Sequence, residues 1–78
     1  MSNLEIVKAG YARLLKETDF TDPKSCMVML GQAFDLVTVK PGLPEDMHRP
    51  VIHALLNAHV NDKGALENAI KVLEEFKE

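Results

Sequence analysis

The chain has one cysteine, no tryptophan and one tyrosine, and aromatic residues make up only 5% of its 78 positions. A lone thiol, Cys26, closes no internal disulfide. A domain this small must then hold together by helix packing or by self-association. Long apolar runs are missing as well. The longest, Cys26-Met27-Val28-Met29-Leu30, falls far short of the roughly 18 residues of a membrane span. The first residues, MSNLEIVKAG, contain no basic stretch followed by an apolar block, so no secretory leader is expected and the expected location is the cytoplasm. Basic residues are scarce: nine Lys and Arg against twelve Asp and Glu leave a formal charge of −3. Residues 1–39 and 40–78 each carry more acids than bases, so neither half is the basic arm that phosphate contacts require. These absences argue against nucleic acid and against a membrane as partners.

What remains has globular proportions, with 46% hydrophobic and 27% charged residues. A mass of 8.7 kDa allows one domain. Size scaling gives a folded surface of about 4,700 Å² against about 12,600 Å² unfolded, so the core is thin. Aliphatic residues and four methionines must fill it.

Periodicity predicts an all-α fold, a compact bundle of four short helices over residues 3–18, 23–38, 47–60 and 62–77, forming a single domain across 1–78. Ser2 and Glu5 have capping-box spacing ahead of Leu4, Val7, Tyr11, Leu14 and Leu15, which recur at helical intervals. Gly10 interrupts that first helix and weakens it by about 1 kcal/mol relative to alanine, which is either drift or room for a close neighbour. Thr21-Asp22-Pro23 is a helix start, with a cap residue followed by proline in the first turn. In the helix that follows, Lys24, Gly31, Asp35 and Thr38 share one narrow stripe and apolar residues cover most of the rest. Such a helix is expected to be buried on more than one side, at the centre of the domain or against a second copy. Lys40-Pro41-Gly42-Leu43-Pro44 is a breaker cluster. The third helix is expected to start between Glu45 and Pro50, with Pro50 in its first turn, and to run to Val60. Asn61-Asp62 caps the fourth, whose apolar stripe is Leu66, Ala69, Ile70, Leu73 and Phe76.

Chemistry-bearing motifs are few. His48, His53 and His59 lie close in sequence, but steps of five and six residues turn a helix by about 140° and 240°, so the rings diverge. A helical zinc pair needs i,i+4 spacing, so no metal is expected. His48 and His59 border the apolar face and would suit a pH-sensitive interface. Ser25-Cys26 opens a helix, where a thiol can be acidified, but no base or orienting group accompanies it, and no catalytic residues are expected. The four glycines are scattered singly, so no phosphate loop and no cofactor is expected. Leu30-Gly31-Gln32-Ala33-Phe34 matches a fragment of the tetratricopeptide pattern, yet the later Ala and Phe are missing from their offsets, and no family is assigned.

Two functions compete. The first is a non-enzymatic protein-binding module, a regulator or inhibitor that binds a protein partner and forms a homodimer, using Met27, Met29, Leu30, Phe34, Met47 and His48. Methionine suits such surfaces because its side chain adapts to shape. The alternative is a helix-turn-helix DNA-binding regulator whose third helix offers Arg49, His53 and Asn57 to base edges. Against it stand the long 40–46 connection and the shortage of phosphate-clamping bases.

Overall fold

A computed structural model describes residues 2–76. Four helices follow one another, α1 (Asn3–Glu17), α2 (Pro23–Thr38), α3 (Glu45–Leu55) and α4 (Asp62–Glu75), with no strand among the described residues. The all-α expectation holds. α1 packs on α2, α2 on α3, α3 on α4 and α4 back on α1, so the helices close a ring around one core. α3 and α4 make the closest pair, and α2 meets α3 least.

Local chemistry sets most of the boundaries. The Ser2 hydroxyl accepts the Glu5 amide (3.2 Å), Asp22 accepts the Lys24 amide (3.3 Å), and Asn61 accepts the Gly64 amide (2.7 Å). Each cap satisfies an N–H that the first helical turn leaves over. The 40–44 breaker cluster caps the other end of α2. The Lys40 amide donates to the Asp35 carbonyl (2.9 Å), Gly42 to Leu36 (3.0 Å) and Leu43 to Val37 (2.7 Å). Gly42 makes the bend with φ +77°, where a Cβ would sit 3.3 Å from the Val39 carbonyl oxygen. That left-handed backbone and that contact both favour glycine.

Two predicted features of the third helix need correction. It begins at Glu45, so Pro50 lies inside it and not in its first turn. Proline has no N–H to give the Asp46 carbonyl, and both residues are exposed, so the missing helical bond falls on the solvent side. The helix also ends at Leu55, five residues before Val60. The Asn57 side-chain oxygen accepts the His59 amide (2.9 Å), a local bond that competes with helix continuation. α1 and α4 stop at Glu17 and Glu75, with Thr18 and Phe76 already extended. Residue 77, where the fourth helix was expected to end, lies outside the described residues.

The core is Leu4, Val7, Tyr11, Met29, Ala33, Val37, Leu43, Val51, Leu55, Leu66, Ala69 and Leu73. No polar or charged residue is buried among the described residues. The radius of gyration, 11.5 Å, equals the roughly 11.5 Å expected of a 78-residue globule. The accessible surface, 5228 Å², is about a tenth larger than the mass predicts. Six large apolar side chains, Ile6, Met27, Val28, Val39, Leu56 and Val60, are exposed among the described residues.

Candidate interaction surface on helix 2

Two of these side chains, Met27 and Val28, stand on α2, and Val39 follows at its end, while Ile6, Leu56 and Val60 lie elsewhere. The inward stripe of α2 is Cys26, Met29, Ala33 and Val37, spaced by three, four and four residues. This stripe is pinned to α1 by Tyr11, whose buried hydroxyl donates to the Ala33 carbonyl at 2.8 Å. Burial pushes the Tyr11 phenol far above its ordinary value near 10.0. Cys26 faces the Phe20 carbonyl (sulfur to oxygen 3.7 Å). Its thiol is pushed up by burial, then by a hydrogen bond with Asp62 and by the negative charges of Asp62, Asp22 and Asp19. A thiol held protonated in this way is the opposite of the acidified nucleophile that a helix N-terminus can produce.

Two residues from the buried methionine, the surface looks different. Met27 is 74% exposed and Val28 59% exposed, while Met29 is 1% exposed. Met29 is therefore corrected from the predicted partner surface to the core. The helix phase decides this, because Met29 falls in line with Cys26 and Ala33 whereas Met27 lies about 160° away from it. Leu30 and Phe34 are half-buried and lean on the core from the flank that Met27 tops. Gly31 sits on the same flank, exposed, and no atom lies within 4 Å of where its Cβ would be. Met47 is half-buried against the core. His48 is half-buried too, and its Nε2–H donates to the Leu43 carbonyl at 2.6 Å, tying α3 to the capping loop. His59 is exposed in the turn after α3.

The flank of α2 that faces α1 is grooved. Leu36 lies over Gly10, with its Cδ1 2.7 Å from the position of an added Cβ. Beside it, Ile6, Ala9, Gly10, Arg13 and Leu36 line a shallow groove of about 350 Å³. Toward the other end of the pair, a groove of about 400 Å³ has Leu14, Val28 and Met29 in its lining and Glu17, Asp19 and Lys24 around them. Asp19 is held below the usual carboxylate range, first by the Thr21 hydroxyl and then by the Thr21 amide.

Val28 is the exposed apolar residue of α2 that the expected partner surface left out, whereas Gly31 lies, as read, on the polar stripe. The signal for Val28 was present in the phase of the Cys26–Val37 stripe. Arg49 and His53 are exposed on α3, but Asn57 lies beyond its end with its carbonyl oxygen occupied, so the three do not share one helical face. Among the described residues, no three His, Cys, Asp or Glu side chains converge where a metal ion could bind, and no helix is long and apolar enough to cross a membrane. No protein-family model, curated protein or solved structure matches the chain.

Proposed function

We propose that the chain is a small non-enzymatic protein-binding module that regulates or inhibits a protein partner, and that it acts as a homodimer. The adjacent pair Met27 and Val28 carries this reading. They are large apolar side chains left mostly in water, on a helix whose opposite stripe fills the core. Apolar surface kept in water costs about 25 cal/mol per Å², and covering it by association recovers that energy.

Light scattering behind size exclusion, across the micromolar range, tests the association. The expected mass is twice 8.7 kDa, and Met27→Asp shifts the chain to monomer. A wild-type chain that stays monomeric and binds no apolar-sensitive dye overturns the reading.

A further inference from the structure

We infer that two copies meet by crossing α2 on α2 in antiparallel fashion at Gly31, an inference that rests on the homodimer reading above. Gly31 stands in the middle of a sixteen-residue helix, where glycine is a poor choice compared with alanine. Gly10 shows what justifies such a residue, because Leu36 occupies the space its side chain would fill. At Gly31 the space beyond the backbone is empty within 4 Å, and its own fold makes no use of the missing side chain. A bare backbone on an exposed helix face lets a second helix approach closely. Met27, one turn before, and Leu30 and Phe34, beside and after it, supply apolar contact around that point.

Charge identifies the occupant as a second copy. A two-fold interface places one surface against itself, so a charged surface repels its own image. From Ser25 to Phe34 the helix carries no charged residue, although the chain as a whole is 27% charged. Lys24 and Asp35 bracket this stretch, both exposed and within about 40° of Gly31 in helix phase, with Lys24 also at the edge of the groove beside α1. Antiparallel crossing brings Lys24 of each copy within about a turn of Asp35 of the other. Parallel crossing would set Lys24 against Lys24 and Asp35 against Asp35.

The test is sedimentation equilibrium over a dilution series of wild type, Gly31→Leu, Lys24→Asp and the double variant Lys24→Asp/Asp35→Lys. Gly31→Leu is expected to weaken dimerisation about tenfold or more. Its dilute monomer is expected to melt about 3 to 8 °C higher, because the helix gains a better former, which separates lost association from lost folding. Lys24→Asp is expected to weaken the dimer and the double variant to restore it. A dimer indifferent to Gly31→Leu overturns the crossing point while leaving the homodimer standing. Failure of the double variant to restore overturns the antiparallel sense. A wild-type chain that is monomeric throughout overturns both the crossing and the reading beneath it.

Discussion

Gly10 and Gly31 both interrupt helices that alanine would strengthen, and comparing their surroundings separates the two flanks of α2. On the α1 side, Leu36 lies over Gly10 and the Tyr11 hydroxyl reaches the Ala33 carbonyl, so the two helices meet through groups matched within one chain. On the opposite flank, Gly31 meets nothing and Met27 stands in water. Around Gly10 the helix is thus covered by its own chain, and around Gly31 it is not. The lesson concerns glycine: its cost in helix propensity is the same at both places, and only what occupies the vacated volume tells the two apart.

The widest separation should come from the two methionines. Met29→Ala removes a fully enclosed side chain and is expected to cost about 2 to 5 kcal/mol in urea unfolding. Met27→Ala should leave the dilute monomer within about 0.5 kcal/mol of wild type. Equal losses at both positions would erase the distinction between the flanks.

A smaller effect probes the side that α1 covers. Tyr11→Phe is expected to cost about 0.5 to 1.5 kcal/mol, because one buried hydrogen bond disappears while the Ala33 carbonyl keeps its helical donor. The phenol also sets a pH dependence. Its folded value is raised, so its contribution is intact below the unfolded value near 10.0 and is lost as pH climbs above it. The slope approaches about 1.4 kcal/mol per pH unit. Cys26, raised too, acts in the same sense. Urea midpoints measured up the alkaline range should therefore fall less steeply in Tyr11→Phe than in wild type. Parallel curves would mean that the ring is not enclosed as described.

The smallest effect sharpens the glycine contrast. Gly31→Ala should give the dilute monomer the full gain of about 1 kcal/mol in helix propensity. Gly10→Ala should gain less, since the new methyl must displace Leu36. Equal gains would show that Leu36 moves aside at no cost.

How much of this was legible beforehand depends on the range of the interactions. Ser2, Asp22 and Asn61 mark their helix starts because a cap and the amide it satisfies lie within three residues. The end of α3 was harder to read. Val51 to Val60 keeps a helical apolar pattern, and only the bond from the His59 amide to Asn57 shows that the local alternative wins. Cys26-Met27-Val28-Met29-Leu30 reads as uniformly apolar, so its inner and outer members separate only once Ala33 and Val37 fix the helix phase. The surplus of apolar residues on this helix was visible in the sequence. The expectation was a helix at the centre or against a second copy, and within the chain the ring of contacts seats α2 between α1 and α3.

The enclosed ring of Tyr11 has a practical consequence. With no tryptophan and a single tyrosine in the chain, the tyrosine absorption and emission bands come from one spot, inside the seam of α1 and α2. Near-ultraviolet circular dichroism in that band therefore reports whether this seam is shut. Docking on the far flank of α2 leaves the chromophore in the same surroundings and is silent in that signal. Folding and assembly are thus optically separable in the unmodified molecule, with no label attached.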